Sequence, residues 1–122
     1  MGVIDKAKKG AVEASANGYI DAVEKYSVYG MLDGTTLDAG VYTIDELTGV
    51  EIKGEKPATG GWVAIDTDGQ VVAASLKFSS YSKYVGYTIA DRAQATLDAN
   101  VTLPTTVDAA VTAVSGALNP GA

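Results

Sequence analysis

From Ile4 to Val28 the chain reads IDKAKKGAVEASANGYIDAVEKYSV, and its apolar residues return every three or four positions. Ile4, Val12, Tyr19, Ile20, Val23 and Tyr26, with Ala7, Ala11 and Ala16 between them, line one side of a single long helix. Such a helix needs a cover, and no second helix follows it nearby in sequence. Lys6, Lys8 and Lys9 crowd its first turns, where the helix macrodipole favours acids, and Asp5 and Glu13 only partly offset them. That beginning reads as a truncation, with Met1-Gly2 standing as a new start. Asp5 with Lys9, and Asp21 with Lys25, stand at i,i+4 in the favourable order, worth about 0.3 kcal/mol per pair.

The length of 122 residues suits one domain with a real core. Its net charge of -6 arises in one stretch. Between Asp33 and Asp68, the carboxylates of Asp33, Asp38, Asp45, Glu46, Glu51, Glu55, Asp66 and Asp68 face only Lys53 and Lys56; elsewhere acids and bases cancel. Nucleic acid is therefore not an expected partner, since phosphate binding needs a net basic footprint. The absence of His and Cys excludes the usual zinc sites, thiol catalysis and Ser-His-Asp triads. No cofactor or metal is expected. No apolar run approaches the roughly 18 residues of a membrane helix.

Beyond the first helix, Gly30 and Asp33-Gly34-Thr35-Thr36 read as a loop. Thr43-Ile44-Asp45-Glu46 has capping-box spacing, predicting one helical turn, and Val50-Glu51-Ile52-Lys53 alternates like a strand with Val50 and Ile52 inward. The runs 61–66 and 70–78 flank Thr67-Asp68-Gly69, the clearest hairpin signal in the chain, and Lys83 to Ile89 can add another strand. Ala90 to Ala99 reads as helical. Past Pro104, Thr105 or Thr106 can cap a helix running to about Leu118, with Val107, Val111, Val114 and Leu118 as its stripe. The expected fold is α+β: a long N-terminal helix on three or four antiparallel strands, with a helical C-terminal extension.

This succession resembles the globular domain of a type IV pilin. Ile4-Asp5-Lys6-Ala7-Lys8-Lys9 looks like the point where that family's hydrophobic segment ends and its soluble half-helix begins, and AVEASANGYIDAVEKY is similar to its continuation in small pilin-like proteins of Gram-positive bacteria. The likeness continues through YTIDELTGVEIKGEKPATGGWVAIDTDGQVVAASLKF and covers about Val3 to Tyr87. The family's leader and apolar anchor are missing, as is the C-terminal disulfide loop of Gram-negative members, and the tail from Ala90 to Ala122 matches no pilin end. The resemblance implies a pilin-like domain at 1–89 and an Ala/Thr/Val-rich extension at 90–122, packed on the same domain or on a neighbouring subunit. It implies a structural subunit of an extracellular, cell-surface filament serving adhesion or motility, without enzymatic activity. Its partners would be copies of itself, other pilins or a host or cell surface, with membrane contact only through the missing hydrophobic segment.

Candidate contact residues are Tyr81, Tyr84, Tyr87 and Trp62, with Val107, Val111 and Val114 of the C-terminal stripe. A spacing of three along a strand alternates sides, so the three tyrosines cannot share one face. Tyr19 and Tyr26 are expected in the core with their hydroxyls at its edge. The alternative function is a secreted module that recognises glycan or a surface protein through exposed Tyr and Trp. Asp66-Thr67-Asp68-Gly69 reads as a turn, because Gly69 falls at position 4 of a calcium loop that needs its glycine at 6. The adjacent Asp45 and Glu46 are explained by capping without an acid–base role.

Overall fold

The computed structural model describes residues 3–33, 38–47, 49–50, 52 and 55–120, and within the first helix the side chains of 6–27. Helix α1 spans Val3–Asp33. Five strands follow, β1 (Gly40–Thr43), β2 (Trp62–Ile65), β3 (Val71–Leu76), β4 (Tyr84–Thr88) and β5 (Gln94–Leu97), and helix α2 (Val107–Leu118) closes the chain. The strands form one antiparallel meander in sequence order. The fold is α+β, with five strands in place of the three or four expected.

One additional strand, β1, lies mostly in a segment left unassigned in the sequence, and the other, β5, in one read as helical. Gly40–Thr43 pairs with β2 from Gly40↔Ile65 to Thr43↔Trp62. The segment from Ala90 to Ala99 is not helical. After β4 the backbone turns at Thr88–Arg92, where Arg92 takes the left-handed φ of 61°, and Gln94–Leu97 comes back as a strand against β4. Alanine's helix preference is weaker than the gain from completing a sheet edge. Gly30 lies inside α1 rather than in a loop, since a glycine costs a helix about 1 kcal/mol without stopping it. Gly34, Thr35 and Thr36 lie outside the described residues. Val50 is buried and Ile52 half-buried, as expected, but neither belongs to a strand; Glu51 and Lys53 lie outside the described residues.

The local signals at Thr43 and Gly69 do appear. Thr43 opens a 3-10 turn over Ile44–Glu46, and Glu46 reaches back to accept from the Thr43 N–H at 2.9 Å and its hydroxyl at 3.1 Å. Between β2 and β3, Asp66 Oδ1 accepts from the N–H groups of Asp68 (2.9 Å) and Gln70 (3.0 Å), while Gly69 takes a φ of 81° that a side chain would resist. The Asp66 carboxylate is thus committed to its turn.

Each face of the sheet carries its own core. On one face, Val12, Ala16, Tyr19, Ile20 and Val23 of α1 meet Val63, Ile65, Val71, Ala74, Leu76, Val85, Tyr87 and Ala95. On the other, Ala110 and Val114 of α2, with Val107, Val111 and Leu118 at their sides, meet Trp62, Ala64 and Ala73. A register shift between Ala64 and Ile65 turns both Val72 and Ala73 toward this second face, as a β-bulge does. The molecule is therefore layered helix, sheet, helix.

The second face is lined by small residues. The paired rows Trp62↔Ser75↔Gly86 and Ala64↔Ala73↔Thr88 offer α2 little bulk beyond the indole. At Gly86 an added Cβ would lie 2.9 Å from Leu118 Cδ2 and 3.0 Å from Leu97 Cδ1. Glycine there lets the end of α2 settle onto β4.

Candidate functional site

Helix α1 has two parts. From Val12 to Ser27 it packs on the sheet, with Val12, Ala16, Tyr19, Ile20, Val23 and Ser27 buried. Ahead of that, Lys6, Ala7, Lys8, Gly10 and Ala11 are exposed and Lys9 is half-buried. The lengths explain the division. A helix of 31 residues runs about 46 Å at 1.5 Å per residue, while five strands about 4.8 Å apart span only about 19 Å. The first turns overhang the sheet.

Two acids fix how α1 crosses it. Glu13 Oε2 accepts from the Ala95 N–H on β5, and Glu24 Oε2 from the Val71 N–H at the start of β3, both at 2.9 Å. Eleven residues make just over three turns, so both carboxylates lie on one side of the helix. Each satisfies a backbone donor at a strand end or beside a register shift. The helix thus runs from the β5 edge inward, and its lysine-bearing start projects past that edge. Lys9 pairs with Glu13 at 3.7 Å; the Asp5 side chain, its expected partner, lies outside the described residues.

The other face is tied by a polar latch. Trp62 Nε1 donates to the Val101 carbonyl at 2.9 Å, and the Val101 N–H donates to Ser75 Oγ at 3.2 Å. The buried Ser75 hydroxyl donates to Asn100 Oδ1 at 2.6 Å, and Asn100 Nδ2 donates to the Gly60 carbonyl at 2.9 Å. This chain of bonds holds the segment leading to α2 against β2 and β3. The helix then begins at Thr106, whose hydroxyl accepts from the Ala109 N–H at 3.1 Å. At its other end Asn119 Nδ2 donates to the Ser115 carbonyl and to Asp91 Oδ2, which joins α2 to the β4–β5 turn.

The aromatic candidates scatter. Trp62 is 1 % exposed and Tyr87 4 %, so both are interior. Tyr84 and Tyr87 take opposite faces of β4, as a spacing of three requires; Tyr84 is half-buried opposite Leu97, and the Arg92 guanidinium stands 5.5 Å from the Tyr87 ring centre. Tyr81 is half-buried against the first core, outside any strand. Val114 is buried, and Val107 and Val111 are half-buried beneath α2. Of these positions, Tyr81, Tyr84, Val107 and Val111 keep part of their surface exposed. Tyr26, expected in the core, is 36 % exposed, with its ring over Gly49. Its neighbour Ser27 is buried, so Tyr26 lies on the outer side of the packed part of the helix.

No family model, curated protein or solved structure matches this chain.

Titration marks structural positions. Burial pushes the Tyr19 hydroxyl up to about 12, and that hydroxyl has no hydrogen-bond partner among the described residues. Hydrogen bonds from Ser79 and then Ser80 hold the Glu55 carboxyl below its usual range. Lys83 and Asp98 form an exposed ion pair that raises the amine and lowers the acid. Among the described residues no three acids gather as a metal-ligand set, and no helix is long and apolar enough to cross a membrane. The sequence reading missed Glu13, Glu24, Ser75 and Asn100. The two glutamates had a signal, since each follows a core valine and they stand eleven apart; the Ser75–Asn100 pairing depends on the β5 return and had none.

Proposed function

We propose that the chain is a pilin-like structural subunit of an extracellular filament, associating through the overhanging part of α1. The single observation that carries this reading is the division of that helix. Its middle is covered by its own sheet, while residues 6–11 project past the β5 edge with lysines and small residues exposed. A projecting helix has its backbone bonds satisfied within itself and offers side chains to neighbours, which suits lateral packing between copies. The sequence resemblance, an N-terminal helix laid on an antiparallel meander, agrees with this layout.

The test uses cells that make the protein. Antibodies against the purified chain should decorate surface filaments in immunogold electron microscopy. Gly10→Pro breaks α1 ahead of Val12, the first residue of the chain's packed stripe. It should abolish the filaments while the purified domain keeps its fold by circular dichroism. Unchanged filaments in that variant, or label confined inside the cell, would count against the reading.

A further inference from the structure

We propose that Asn100 is the acceptor of an N-linked glycan, an inference that rests on the extracellular reading above. The chain has three asparagines. Asn17 is followed by Gly18-Tyr19 and Asn119 by Pro120-Gly121; Asn100 alone heads an Asn-x-Thr triplet, Asn100-Val101-Thr102. That triplet lies between β5 and α2, in a segment without helix or strand, and both Asn100 and Thr102 are exposed.

The hydrogen bonds separate Asn100 from the other two. The Gly60 carbonyl can only accept, so its bond fixes Nδ2 on that side and Oδ1 toward Ser75. One amide hydrogen is then used, and the second has no acceptor among the described residues. Asn119 Nδ2, by contrast, donates twice, to Ser115 and to Asp91. Asn17 has its Oδ1 buried without a partner among the described residues. The Thr106 hydroxyl is spent on its cap, whereas no hydrogen bond engages Thr102 among the described residues. Asn100 thus combines exposure, an uncommitted amide hydrogen and an uncommitted hydroxyl two residues on.

The donor is an oligosaccharide carried on a polyprenyl diphosphate. Asn100 Nδ2 forms a bond to the anomeric carbon, the bond from that carbon to the carrier's phosphate oxygen breaks, and the electron pair leaves with the phosphate. The displaced amide proton passes to solvent, and nothing is oxidised or reduced. The remaining amide hydrogen is available to Gly60, and Oδ1 still accepts from Ser75.

The experiment isolates the protein from its own cells and locates it by surface labelling. Trypsin cuts after Arg92 and leaves 93–122 intact, because no Lys or Arg stands within that stretch. Mass spectrometry should find that peptide carrying sugar increments. Enzymatic release of amide-linked glycans in heavy-oxygen water should convert Asn100 to a labelled Asp. Thr102→Ala should abolish the heavier form and Thr102→Ser retain it, with the latch untouched in both. A bare peptide from protein found at the cell surface overturns the proposal and leaves the filament reading standing. Protein confined inside the cell overturns both.

Discussion

The two faces of the sheet are covered by different physical means. The α1 face is bulky: Val63, Ile65, Val71, Leu76, Val85 and Tyr87 interlock with Val12, Tyr19, Ile20 and Val23, and two carboxylates bind strand amides across the join. The α2 face is smooth at its centre, with Ala64, Ala73, Ser75 and Gly86 beneath a helix rich in Ala and Val, and Trp62 as the large buried side chain of that core. A bulky face fixes its helix by side-chain shape and by directed hydrogen bonds. A smooth face fixes its helix by nearness of backbone and by what ties the chain leading into it. The first should be sensitive to losing polar ties, and the second to losing its indole or gaining a side chain.

The largest effect should come from Trp62→Ala, which empties the second core and removes the Nε1 bond to Val101. A loss of about 3–5 kcal/mol in urea-unfolding stability is expected. A change below 1 kcal/mol would mean that α2 is not seated on the indole.

Gly86→Val should follow, at about 1–3 kcal/mol, because its Cβ meets Leu118 and Leu97 at 2.9 and 3.0 Å. If the melting temperature instead rises, α2 stands further from β4 than described. On the bulky face, Glu24→Ala leaves the Val71 N–H without its acceptor and should cost about 1–3 kcal/mol, with Glu24→Gln recovering part of it. Amide exchange at Val71 should quicken in the alanine variant. No change there would remove the carboxylate tie from the comparison.

The smallest effect concerns Tyr19, whose buried hydroxyl lacks a partner among the described residues. Tyr19→Phe should be neutral or stabilising by up to about 1 kcal/mol at neutral pH. The folded-state pKa of about 12 lies above the ordinary 10. The folded state therefore holds the proton longer, and this contribution is complete below about pH 10 and lost as pH rises toward 12. Alkaline unfolding should accordingly move to higher pH in the phenylalanine variant. An identical alkaline midpoint would show that Tyr19 ionises without unfolding.

Much of this architecture was legible where a local signal and the tertiary fold agree. The α1 stripe from Val12 to Val23, the Asp66–Gly69 hairpin, the Glu46 reach-back and the Thr106 cap each rest on a few neighbouring residues, and each is present, whereas Ala7, Ala11 and Tyr26, read into the same stripe, are exposed. β1 and β5 were not legible, because Gly40–Thr43 and Gln94–Leu97 are short strands at the sheet's two edges, stabilised by neighbours distant in sequence. Trp62 read as a contact residue because a lone indole in a strand has no visible cover. That cover is supplied by Val101 and α2, some forty residues later. Among the candidate positions, only Tyr81 and Tyr84 of the aromatics keep exposed surface, and the overhang of α1 emerges from comparing a helix length with a sheet width.

The central claim is that α2 is an integral cover of the second face. Its most direct test compares the full chain with one ending at Thr102, by circular dichroism and light scattering under the same conditions. The account predicts a cooperative unfolding transition for the full chain. Without α2 the chain should lose that transition or aggregate, because Trp62, Ala64 and Ala73 become exposed. A shortened chain that stays soluble and melts at the same temperature would contradict the account, leaving α2 as an appendage rather than a layer of the fold.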